Sequence, residues 1–116
     1  MTPMDRPIAV VFFRLDSGRE PVRDWLKGLE RQDRKFVGED IKTLQYGWPV
    51  GMPIARKFAD DLWELRSRLK TGIARTFFTV YAGHIVLVHG FVKKTKKTPV
   101  KELALAKRRL TKLRSA

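Results

Sequence analysis

LWELRSRLKTGIARTFFTVYAGHIVLVHGFV, residues 62–92, is the stretch whose reading decides the fold. Leu62-Trp63-Glu64-Leu65-Arg66 ends in a turn at Lys70-Thr71-Gly72, and the apolar and aromatic runs Ile73–Ala82 and Ile85–Val92 follow, separated by a Gly83-His84 turn. The spacing predicts a three-stranded antiparallel meander. Side chains alternate between the two faces of a strand, so Leu62, Glu64, Arg66 and Arg68 share one side while Trp63, Leu65, Ser67 and Leu69 share the other. In the next strand Arg75, Phe77, Thr79 and Tyr81 oppose Ala74, Thr76, Phe78 and Val80, and Arg75 lies one turn from Arg68 across the hairpin. The last strand splits into Ile85, Leu87, His89 and Phe91 against Val86, Val88, Gly90 and Val92, and either set can face outward.

Upstream, IAVVFFRL (residues 8–15) reads as a first strand largely buried on both faces, and Asp16-Ser17-Gly18 turns the chain. From Pro21, Val22, Trp25, Leu26 and Leu29 recur at helical spacing. After a polar break around Arg31 and Gln32, Phe36, Val37, Ile41 and Leu44 repeat the pattern until Gly47, Pro49 and Gly51 end it. Two helices so joined predict an antiparallel helical hairpin. Downstream, Thr98 is a candidate cap, Pro99 fits a first helical turn and Glu102 favours the positive helix end. Val100, Leu103, Ala106, Leu110 and Leu113 line one face of this last helix, with Lys101, Lys107, Arg108, Arg109 and Lys112 opposite. The expectation is one α+β domain over residues 1–116: a small antiparallel sheet built from a strand, a helical hairpin, a three-stranded meander and a C-terminal helix, its helices on one face and its other face free for function.

The 43% hydrophobic content supports a folded core, so the 25 Lys and Arg against 12 Asp and Glu belong mostly to the surface. A net charge of +13 draws nucleic acid, anionic lipid or an acidic protein partner. The absence of cysteine excludes disulfides and thiolate ligands, and two histidines make a zinc site unexpected. The apolar runs have strand length and the N-terminus lacks signal-peptide features, so a cytoplasmic protein without a membrane segment is expected.

HGFVKKTKKTP (residues 89–99) then crowds Lys93, Lys94, Lys96 and Lys97 at a strand end, where like charges repel unless a polyanion sits among them. With Arg66, Arg68, Arg75 and His89 they make a candidate cationic bowl suited to RNA. Cleavage of a phosphodiester by the neighbouring 2′-OH needs that hydroxyl deprotonated, the phosphorane charge neutralised and the leaving 5′-oxygen protonated; it requires no metal. Arginine clamps phosphate with two parallel hydrogen bonds, and lysine acts as a point charge or, with a lowered pKa, as a base. His89 and Glu64 are the other acid–base candidates. The plainer alternatives are a solvated lysine loop, an ion pair between Arg66 and Glu64, Asp60 or Asp61, and a hydrogen-bonded core histidine at position 89. Trp25, Trp63, Phe77 and Phe78 read as core.

LWELR (62–66), Arg75 in IARTFFTVY, HGFVKKTKKTP (89–99) and VKELALAKRR (100–109) together closely resemble the phage-related HigB-like toxins of the RelE/ParE superfamily. The resemblance runs from about the first strand to the end and is dense over 62–109; the HGF-x-KK-x-x-KTP run is its specific part. It implies a RelE-like fold and the toxin half of a type II toxin–antitoxin pair: a ribosome-dependent, metal-independent mRNA endonuclease without cofactor, neutralised by a HigA-like helix-turn-helix antitoxin. The basic positions of the RelE-type site fall on Arg66, Arg68, Arg75 and Lys93 or Lys94; the candidate catalytic set is Arg66, Arg75, His89, Lys93 and Lys94, with Arg68, Phe91, Lys96 and Lys97 as candidate RNA contacts. A tyrosine that some RelE toxins place near the C-terminal helix has no counterpart among residues 93–116, which passes stacking or catalysis to His89 or Phe91. The antitoxin is expected to occlude the face around Arg66 and Arg75. The rivals are a ParE-like gyrase inhibitor, which needs no RNA-cleaving centre, and a non-catalytic basic nucleic-acid-binding module.

Overall fold

The computed structural model describes residues 7–49, 55–59, 61–93 and 99–115. Its elements follow in the order β1 (Val10–Phe12), α1 (Pro21–Gly28), α2 (Arg31–Gly47), β2 (Ala55–Ala59), β3 (Leu62–Arg68), β4 (Ile73–Tyr81), β5 (His84–Lys93) and α3 (Val100–Arg114). Lys94, Lys96, Lys97 and Thr98 lie outside the described residues.

The meander of β3, β4 and β5 forms as its turn signals require, and it is the centre of a five-stranded sheet ordered β1-β5-β4-β3-β2. That sheet is mixed, which corrects the expectation of an antiparallel one: β1 runs parallel to β5, pairing Val10 with Ile85 and Phe12 with Leu87. Helices α1 and α2 lie between β1 and the rest of the sheet in the chain, which gives β1 the long crossover that a parallel neighbour needs. As an edge strand it is also short, and Val11 is exposed where burial on both faces was expected. The other edge, β2, was not anticipated. Its sequence ARKFA carries two cations, a composition that suits an edge strand paired on one side only.

Helices cover both faces of the sheet, a second correction. On one face α1 and α2 bury Val22, Val37, Ile41 and Leu44 against Leu65, Ala74, Phe78, Ile85 and Leu87. Trp48 closes this layer edge-on to Trp63 and Phe78, with ring centroids 5.1 and 5.3 Å away. On the opposite face α3 packs Ala106 and Leu110, flanked by Leu103 and Leu113, over Leu62, Phe77, Val86 and Val88. The apolar stripe of α3 explains this placement: a helix with three-and-four spacing must bury that face, and the first side of the sheet is already filled. The helix begins at Val100, with Pro99 at the cap position rather than inside the first turn. Its last turn is tied down by ion pairs from Lys112 to Asp16 and from Arg114 to Asp61.

Two local features set the sheet's register. The β4–β5 turn is Ala82-Gly83, one residue earlier than the sequence suggested, with φ of 51° and 77°. Positive φ at both central residues is the primed-turn geometry that matches strand twist. In β5 the register then shifts: Phe78 pairs with Leu87 and Phe77 with His89, leaving Val88 as a bulge residue.

Candidate functional site

The bulge resolves the alternation left open in β5. Up to Leu87 the strand alternates simply, with Ile85 and Leu87 facing the layer of α1 and α2 and Val86 facing α3. The extra residue flips the remainder, so that Phe91 joins Val86 and Val88 in the α3 layer while His89 stacks on Phe77 and Phe91 at centroid distances of 6.4 and 5.7 Å. Gly90 is turned toward α1, where a Cβ would stand 2.3 Å from the Trp25 ring. The glycine of the HGF motif is therefore required by a close approach of helix to strand.

Pairing across the sheet now places the side chains in rows on the α3 face. One row holds Arg56, Glu64, Phe77 and His89; the next holds Arg66, Arg75 and Phe91; the last holds Arg68, Ile73 and Lys93. Successive rows are two residues, about 7 Å, apart along the strands. Helix α3 covers Phe77 in the first row and Leu62, Val86 and Val88 below it, and its first turn lies beside His89. The cations lie in the rows beyond and at the β2 end of the first. Arg68 is exposed, Arg66 and Lys93 are half-buried, and Arg56, exposed on β2, lies over the Phe58 ring at 4.9 Å. None of these four cations forms an ion pair with a carboxylate among the described residues, whereas Arg14, Arg19, Arg23, Lys112 and Arg114 all do. A cationic patch at one end of the sheet results.

Arg75 belongs to that patch by register but is not at its surface. Its side chain is 1% exposed and Nη1 donates to Glu64 Oε1 at 3.0 Å, with Glu64 fully buried. A buried ion pair of this kind holds two charges in one geometry and cannot relax into solvent. Arg75 thus stands buried beside Arg66, its partner across β3 and β4. Glu64, considered above as an acid–base group, is the carboxylate of that buried pair.

His89 is engaged at both nitrogens. Nδ1 stands 3.2 Å from Arg109 Nη1 and Nε2 2.8 Å from Glu102 Oε1. A guanidinium only donates, so Nδ1 accepts and the ring proton sits on Nε2, directed at the carboxylate. Burial pushes the His89 pKa below its ordinary value; Glu102 opposes this, and the Arg109 charge adds to it. The ring is a neutral relay between two residues of α3. Arg109 also donates through the same Nη1 to the carbonyl of Val88 at 2.9 Å, the bulge residue.

The structure therefore brings together Arg66, Arg68, Arg75, Phe91 and Lys93, with Phe91 buried, and sets His89 one row behind them. Lys94, Lys96 and Lys97 fall outside the described residues. Sequence reasoning passed over Arg56, because β2 was not foreseen as a strand, and passed over Arg109 and the bonding role of Glu102. The signal available for these two was their separation of seven residues, two helical turns, beside the apolar stripe of α3. Among the described residues no cluster of His, Cys, Asp or Glu could hold a metal ion, and no helix is long and apolar enough to cross a membrane.

No curated protein matches this sequence. A family model described as Phage derived protein Gp49-like (DUF891) matches residues 24–111, from within α1 to within α3, and so spans both helical layers and four of the five strands. The chain belongs to this Gp49-like family, a family of RelE/ParE-like toxins of toxin–antitoxin systems.

Proposed function

We propose that the chain is the toxin of a type II pair that cuts mRNA in the ribosome, in the manner of HigB-like toxins of RelE-like fold, without a metal or organic cofactor, and that a HigA-like helix-turn-helix antitoxin restrains it in the cytoplasm. The observation that carries this reading is the grouping of Arg66, Arg68 and Lys93, lacking carboxylate partners among the described residues, beside the buried Arg75–Glu64 pair. Cations held together against their mutual repulsion form a site for a polyanion, and guanidinium groups meet phosphate oxygens in pairs.

In the cleavage step the 2′-oxygen attacks phosphorus as its proton leaves, the bond to the 5′-oxygen breaks, and that oxygen takes up a proton to leave a cyclic phosphate and a 5′-hydroxyl. Negative charge gathers on the non-bridging oxygens in the transition state, where fixed cations stabilise it most. Arg66 and Lys93 supply that stabilisation, Arg68 and Arg56 hold the flanking backbone, and the buried Arg75 stands beside Arg66. Lys94, outside the described residues, is a candidate for the base. His89, committed at both nitrogens, acts by positioning. The antitoxin covers this cationic end.

The test is induction of the chain in a bacterium beside an Arg66→Ala/Arg68→Ala variant, with 5′ ends of cellular mRNA mapped. Arrested growth with new ends inside translated codons, absent from the folded variant, is the expected result. Arrest with intact mRNA would sink the proposal and point to gyrase. Folded protein without effect on growth would leave a basic nucleic-acid-binding module.

A further inference from the structure

The bulge at Val88 controls which side chains of β5 reach the cationic end, and it is held from both sides. Were β5 to alternate without it, Phe91 and Lys93 would face the helical hairpin with Ile85 and Leu87, and Gly90 would face α3. From the hairpin side, the Trp25 ring fills the space above Gly90, so no residue with a Cβ fits there. From the other side, Arg109 donates to the Val88 carbonyl at 2.9 Å and to His89 Nδ1 at 3.2 Å, and His89 passes the contact on to Glu102 at 2.8 Å. A bulge takes a residue out of the ladder, and here the guanidinium of Arg109 supplies a bond to that residue's carbonyl.

We propose that Arg109, acting through His89 and Glu102, is the positioning unit that locks the β5 bulge and so sets Phe91 and Lys93 on the same face as Arg66 and Arg68. This deepens the proposed endonuclease reading by naming what holds its site in register, and it rests on that reading for the expected effect on cleavage. The charged groups facing the relay are Glu102 and Arg109 from α3 and, in the adjoining positions of β3 and β4, the Glu64–Arg75 pair.

The experiment compares Arg109→Met, His89→Gln and His89→Leu with the wild type in three measurements: thermal stability, backbone and imidazole NMR, and the rate of mRNA cleavage on ribosomes. Gln keeps one donor and one acceptor, whereas Leu keeps neither. In Arg109→Met the amide signals of Val88–Val92 move and the His89 pKa rises, because a nearby positive charge is gone. Cleavage falls by the order of 10- to 100-fold at temperatures where the variant remains folded, since misplacement by about 1 Å has that effect. His89→Gln retains much of the activity that His89→Leu loses. The lock is overturned if Arg109→Met leaves the bulge signals unmoved, or moves them while cleavage stays at the wild-type rate. Equal loss in His89→Gln and His89→Leu also overturns it, in favour of a proton-transferring histidine. Failure of the endonuclease reading looks different: the wild type itself does not cut mRNA, and an unmoved bulge signal in Arg109→Met still decides against the lock.

Discussion

At the scale of single residues, the site is built on charges placed where water cannot reach them. Arg75 and Glu64 face each other at 3.0 Å with almost no exposure, so each depends on the other for its charge to be tolerated. Arg75→Met, which takes the guanidinium from Glu64, is expected to destabilise the fold by about 3–5 kcal/mol, while Arg75→Met/Glu64→Leu loses far less. A double-mutant cycle in urea checks this, and additive losses would show the pair to be uncoupled. His89 contributes in the opposite sense, as a group kept neutral. Its folded pKa lies below the value of the unfolded chain, so between the two the unfolded state binds a proton that the folded state refuses. Stability is complete above the unfolded value, about 6.5, and is lost as the pH falls through that window. Melting curves between pH 5 and 8 should show this slope in the wild type and a flatter one in His89→Gln; parallel curves would remove His89 from the pH dependence.

At the scale of elements, the turn and the bulge in one hairpin carry out separate tasks. Ala82 at φ 51° occupies a conformation that an alanine adopts at a cost, and Gly83 follows at φ 77°. Ala82→Asn creates the Asn-Gly pair favoured in type I′ turns, and should stabilise the protein by about 0.5–1 kcal/mol without altering the register of β4 and β5. Urea denaturation measures the gain, and a loss of stability would mean that the asparagine side chain meets an obstacle in the turn. Six residues on, the bulge at Val88 reverses the alternation of β5. These elements also mark where sequence was legible. The alternation of β3 could be read because its charged and apolar side chains take turns along the strand with no residue inserted between Leu62 and Arg68. In β5 the pattern HIVLVHGFVK is apolar on both faces, so its period conceals an inserted residue. Strand β2 was concealed for the converse reason: ARKFA has too few apolar residues to announce an edge strand that gains its place by pairing with β3.

At the scale of the whole molecule, a charge of +13 is divided unevenly. Cations in the last turn of α3 and around α1 find carboxylates, while those of the Arg66, Arg68 and Lys93 rows do not among the described residues. Binding of a fluorescent single-stranded RNA should therefore weaken steeply with salt, and each of Arg66→Ala and Arg68→Ala should reduce the slope of log K against log salt by about 0.7. Fluorescence anisotropy between 50 and 200 mM salt measures it; unchanged slopes would place the RNA elsewhere. The family's helices and central strands follow from hydrophobic spacing and turn residues, which act within a few positions of the chain, and the sequence by itself determined these, together with the motif HGFVKKTKKTP and the excess of positive charge. Only the tertiary structure decided that helices cover both faces, that β1 lies parallel to β5, that Arg75 is buried on Glu64 and that Phe91 faces α3. Each of these depends on which distant segment fills the space beside a given strand, and that is set by packing across the sheet rather than by the order of neighbouring residues.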